Sequence, residues 1–144
     1  MKGCVGMANM NDLQVALDGF WNQFTNVRGE SIPAFREGYA PTQQAFPYIT
    51  YEFGRGAWQS ERIVNANIWT RQPANIGFLG TANHIANQIE EVIQEGLGAK
   101  INVGESGFLW FKRNGAFIQL MPPDPDDQAI VRYLVTLTVQ SIIV

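Results

Sequence analysis

The sequence predicts an α+β domain, a mostly antiparallel sheet with two main helices packed on one face. Three observations predict it. Two segments repeat apolar residues at helical spacing, most of the others run or alternate at strand length, and turn residues separate them. A chain of 144 residues suits one domain with a sizeable core. The predicted order is α-β-β-α-β-β-β-β.

Met1 to Met10 reads as a flexible lead-in, which leaves residues 11–144 as the single domain. Asn11 or Asp12 can cap a first helix. Its stripe, Leu13, Leu17, Phe20, Trp21 and Phe24, keeps one face apolar until a stop near Gly29. An irregular loop from Glu30 to Ala45 follows, punctuated by Pro33, Gly38 and Pro41. Pro47 then opens a strand over about 47–53, since a missing N–H costs least at a strand's first position. Ile49, Tyr51 and Phe53 share one face of that strand, and Tyr48, Thr50 and Glu52 the other. Both faces carry aromatic rings, so both call for cover. One is expected to meet the helices and the other an assembly partner.

A turn at Gly54-Arg55-Gly56 leads into a longer strand, about 59–71, and the two strands form a hairpin. Val64, Ala66 and Ile68 alternate there with Asn65, Asn67 and Trp69. The second helix is expected over about 75–95, with Phe78, Ala82, Ile85, Ala86, Ile89 and Ile93 as its apolar stripe and Gly96 or Gly98 as its stop. Lys100 to Val103 is a short strand. Phe108–Arg113 and Ala116–Met121 flank Asn114-Gly115, a two-residue hairpin signal. A tight loop from Pro122 to Asp127 precedes a long final strand, Ile130–Ile143.

Composition narrows the function classes. Charged residues make up 16% of the chain, below the roughly 25% usual in soluble domains. With four Trp and nine Phe, this leaves apolar surface to hide, and oligomerisation is one outlet. A net charge of −3 argues against broad, nonspecific binding to nucleic acid. Cys4 is the sole cysteine, which excludes an internal disulfide and a thiolate metal cluster and suits a reducing compartment. No secretory signal or membrane-length apolar run is present, so the protein is expected to be cytosolic when made.

A search for chemistry finds no enzyme and no cofactor site. His84, the only histidine, falls on the second helix as a partly exposed residue. Alone it cannot build a zinc site, and Cys4 has no other base to activate it. Asp124, Asp126 and Asp127 offer hard oxygen ligands, but the interleaved prolines point to a stiff turn rather than an ion site. Glycines 96, 98, 104 and 107 are caps and turns, not a phosphate-binding fingerprint. Trp58, Trp69, Trp110 and Phe111 with Arg55, Arg62, Arg71, Lys112 and Arg113 form a possible stacking surface. A core with solvated strand faces accounts for them more simply.

Several segments in order resemble tail terminator (tail completion) proteins of long-tailed bacteriophages and phage-tail-like particles. They are Ile32-Pro33-Ala34-Phe35, Gly38-Tyr39-Ala40-Pro41 and Phe46-Pro47-Tyr48-Ile49-Thr50-Tyr51. Asn67-Ile68-Trp69-Thr70-Arg71, Phe108-Leu109-Trp110-Phe111, Phe117 to Met121, the Asp124-to-Asp127 turn and Arg132-Tyr133-Leu134-Val135 continue the likeness. It covers nearly the whole chain beyond the lead-in. The resemblance implies a subunit of a hexameric ring that caps the tail tube, stops its polymerisation and offers a docking face to head or neck proteins. Implied partners are further copies of the chain, the tail tube protein, a head or neck connector, and a sheath protein where the tail contracts. DNA would pass through the lumen without specific binding, no membrane is involved, and the location would be the virion. The family brings no catalytic residues.

Two alternatives stand beside it: a head–tail connector or neck stopper, and a small nucleic-acid or ligand binding module. Phe35, Tyr39, Arg55, Trp58, Asp124, Asp126 and Asp127 are the candidate assembly contacts, because exposed aromatics and stiff loops tend to make contact.

Overall fold

In the computed structural model, which describes residues 10–52, 61–71, 80–105 and 107–143, helix α1 spans Met10–Trp21. Strands β1 (Ala34–Arg36), β2 (Tyr48–Tyr51) and β3 (Arg62–Arg71) follow, then helix α2, described over Gly80–Val92. Strands β4 (Ala99–Val103), β5 (Gly107–Leu120) and β6 (Ile130–Ile143) complete the chain. The strands form one curled, mixed sheet of order β1-β2-β3-β6-β5-β4. β1 runs parallel to β2, and the remaining neighbours pair antiparallel.

Local chemistry explains the helices. Leu13, Leu17, Phe20 and Trp21 of α1 are all buried, as their spacing requires. The helix is already present at Met10, inside the expected lead-in, and stops at Trp21 instead of near Gly29. Asn22 turns the chain: its side-chain amide donates to the Asp18 carbonyl (2.8 Å), while its Oδ1 accepts the Ala34 N–H (3.0 Å). Phe24 still reaches the core, but from a hairpin-like turn in which the Ile32 N–H donates to its carbonyl (3.0 Å). The helical stripe therefore ran three residues further than the helix, to Phe24. In α2, Ala82, Ile85, Ala86 and Ile89 are buried, Ile93 just beyond is too, and Gly96 takes a positive φ of 84°. Gln88 ties α2 to the turn after α1, donating to the Thr25 carbonyl (2.6 Å).

Three expectations about strands need correction. Within the loop expected from Glu30 to Ala45, Ala34–Arg36 forms β1, whose parallel pairing makes the sheet mixed. Three residues behind a proline carry too little periodicity to announce a strand. Pro47, which follows Phe46 through a cis peptide bond, lies just before β2, and β2 is shorter than the expected 47–53, covering Tyr48–Tyr51. The hairpin expected at Asn114-Gly115 does not form: β5 runs through it, and both halves pair with β6. A two-residue I′ turn needs positive φ at both central residues. Gly115 has it (φ 55°), but no described residue other than glycine does. Asn114 instead donates from its amide to Thr138 Oγ1 (2.9 Å). The cost is a bulge, in which Arg113 to Ile118 of β5 faces only Leu137 to Val135 of β6.

One set of strand alternates builds the core. Ile49, Tyr51, Val64, Ala66, Ile68, Leu109, Phe111, Val135, Leu137 and Val139 share a buried cluster with Leu13, Leu17, Phe20, Trp21, Ile85 and Ile89. Phe20 meets Phe111 edge-on (4.7 Å), and Trp21 stacks on Tyr51 (6.2 Å). The Tyr51 hydroxyl donates to Asp18 (3.1 Å), Tyr133 donates to Asn83 (2.6 Å), and Arg113 Nε donates to the Ile93 carbonyl (2.7 Å). Burial first, then the Asp18 charge and hydrogen bond, raise the Tyr51 pKa far above its ordinary value.

Candidate functional site

The other set of alternates is where the sequence-derived aromatic and cationic candidates gather. β3 contributes Ile63, Asn65, Asn67, Trp69 and Arg71, whose neighbours on β6 include Arg132, Leu134, Thr136 and Thr138. β2 adds Tyr48 and Thr50, β1 adds Phe35, β5 adds Phe108, Trp110 and Lys112, and β4 adds Lys100. Tyr48 and Trp69 stack at 6.1 Å and 16° because the register places them directly opposite. Phe35 and Phe46 reach Tyr48 from one side (6.4 and 5.4 Å). From the other side the Arg132 guanidinium lies 5.3 Å from the Trp69 ring.

Polar bonds hold this ladder. Trp69 Nε1 donates to Thr50 Oγ1 (3.0 Å), Arg132 donates to Asn67 Oδ1 (2.7 Å), and Thr136 donates to Asn65 Oδ1 (3.1 Å). Burial, with a smaller push from Glu37, raises the Tyr48 pKa above its usual value. At the opposite end of the sheet Lys112 and Lys100 approach the Trp110 ring at 4.1 and 5.0 Å. Trp110 Nε1 donates to the Leu97 carbonyl (2.9 Å), fixing the ring across the end of β4.

Charge is segregated by secondary structure. The strands hold seven of the ten Lys and Arg and none of the 13 Asp and Glu. The described helices hold Asp12, Asp18, Glu90 and Glu91 and no Lys or Arg. Four of the strand cations, Arg71, Lys100, Lys112 and Arg132, belong to the aromatic set.

The predicted contacts are only partly brought together. Phe35 sits half-buried in β1 rather than in a loop, against Tyr48. Tyr39 is 66% exposed, with the Arg36 guanidinium 4.1 Å from its ring. Asp127 pairs with Arg71, which brings its loop to the Trp69 end of the sheet. The Arg71 and Ala129 donors hold the Asp127 pKa below the usual carboxylate value. Asp124 accepts the Asp126 N–H (2.8 Å), closing a turn. Among the described residues no group of three His, Cys, Asp or Glu could hold a metal ion. Arg55 and Trp58 lie outside the described residues, as do Cys4, Phe53 and Phe78.

The suggested stacking surface divides. Trp69, Trp110, Arg71 and Lys112 share the aromatic set, whereas Phe111 and Arg113 belong to the core set. Tyr48, Arg132 and Lys100 were missing from the list. Their signal was the absence of acidic residues from the strands, visible only once the strands are known. No described helix is long and apolar enough to cross a membrane. A scan against models of protein families finds no match to this chain, and a search of curated proteins finds none either.

Proposed function

We propose that the chain is a structural assembly subunit of the tail terminator type, acting through protein–protein contacts in a ring that caps a tail tube. One observation carries the reading: the second set of strand alternates is built as a braced, ordered surface. Trp69 is clamped by Tyr48, Thr50 and Arg132, and Trp110 by Leu97 and two lysines. In this reading both helices cover one face of the sheet, and the other face is kept for a neighbour. Rings, amides and cations held in fixed rotamers lose little entropy on docking, which favours recognition over mere solubility.

The contact residues extend from the loops to this face. Phe35 and Asp127 take part at its edge, and Tyr39 as the exposed tip of the Glu37–Ala45 segment. The Glu30–Ala45 segment also holds β1 and the buried Ile32, so its removal would disturb the fold as well as any contact. The informative experiment is sedimentation of the full chain with and without purified tail tubes. A closed ring, free or on tubes whose length it limits, is expected. A monomer that leaves tube length unchanged would sink the reading; binding only to portal or neck proteins would replace it with a connector.

A further inference from the structure

We propose that the cationic, aromatic sheet face around Lys100, Lys112 and Trp110 docks onto the acidic outer side of helix α2 in a second copy of the chain. This rests on the ring reading and names the two surfaces that would meet. Lys100 has no carboxylate within ion-pair range among the described residues, and Lys112 has only Glu61 at 3.9 Å. Their aromatic neighbours position these charges but do not neutralise them. Meanwhile Glu91 and Glu95, at the end of α2 and just past it, are exposed and make no ion pair among the described residues. Each copy thus carries both halves of a complementary pair. The strands lack carboxylates and the described helices lack Lys and Arg, so neither surface suits its own kind.

Geometry and size agree. A sheet face meeting a helix face is a heterologous contact, which repeats head to tail and can close into a ring. Helix α2, 13 residues and ~20 Å long, is long enough to lie across the neighbouring strands β4, β5 and β6, which sit ~4.8 Å apart. A nucleic acid strand fits less well. Bases stack on free ring faces, but Trp69 is taken by Tyr48 and Arg132, and Trp110 has two lysines over its ring. The acidic helices would repel phosphates as well.

The test is charge reversal and rescue in the full chain. Self-association is measured by sedimentation, alone and with tail tubes, and folding is verified by thermal melting. K100E/K112E is expected to weaken association at least tenfold, and E91K/E95K to do the same. The fourfold variant, in which both faces are reversed, is expected to regain it. Wild-type rings that persist in K100E/K112E would overturn this pairing while leaving the ring reading intact. Wild-type chains that never associate, even on tubes, would overturn both. Retention of the wild type on a single-stranded thymidine oligonucleotide at physiological salt, lost in K100E/K112E, would assign the face to nucleic acid instead.

Discussion

Val64, Ala66 and Ile68 of strand β3 enter the core, whereas Asn65, Asn67 and Trp69, each one residue along, join a layer of amides, rings and cations. The two faces use the same backbone and the same register. They differ in how cohesion is obtained. On the core side it comes from apolar area and close ring contacts around Phe20, Trp21 and Phe111. On the other side it comes from directional contacts that leave charge outward. The first arrangement excludes water; the second orders side chains without requiring that it be excluded.

The largest effect expected from breaking this contrast is on the core side. Phe111→Ala removes a ring 1% exposed that touches Phe20 and Trp21. It should cost about 3–5 kcal/mol in urea unfolding. Gly98→Ala comes next: φ is +68° and the new Cβ would lie 2.2 Å from the Phe111 carbonyl oxygen. About 2–3 kcal/mol is expected, against roughly 1 kcal/mol for Gly96→Ala, which has the positive φ but open space. Equal costs for the two would show that backbone conformation, not the close approach, sets the penalty.

On the other face Trp69→Phe keeps a ring beside Tyr48 and Arg132 but loses the bond to Thr50. About 1 kcal/mol is expected from thermal or chemical unfolding. A loss as large as that of Phe111→Ala would mean that this face is a second core rather than a surface for contact. The smallest effect concerns Asp127. Its lowered pKa gives support that is present above the ordinary carboxylate value near 3.8 and lost as pH falls through the lowered one. An NMR titration of the Asp127 carboxyl should therefore show its midpoint below that value, and Arg71→Ala should raise it toward that value, leaving the smaller lowering due to the Ala129 N–H. Because the pair is exposed, salt should weaken the shift.

How much was legible follows the range of each signal. The stripe of α1 from Leu13 to Trp21, the buried residues of α2 and the span of β6 were all read directly, because periodicity reports local geometry. The two-faced character of Tyr48 to Tyr51 was also legible, and the structure gives Ile49 and Tyr51 to the core. β1 was not, since its three residues become a strand only by pairing with β2. The Asn114-Gly115 error has the same origin. A good local turn signal lost to ladder bonds with β6, a strand whose pairing lies beyond any local window.

The sequence by itself determined where the apolar stripes lie and which residues of a strand share a face, because these are properties of a residue and its near neighbours. Only the tertiary structure decided that β1 adds a parallel edge and that β5 runs on through its bulge. It alone brought Tyr48, Trp69 and Arg132, from three different strands, into one ladder. Cross-strand register sets those contacts, and register is a property of the folded sheet as a whole.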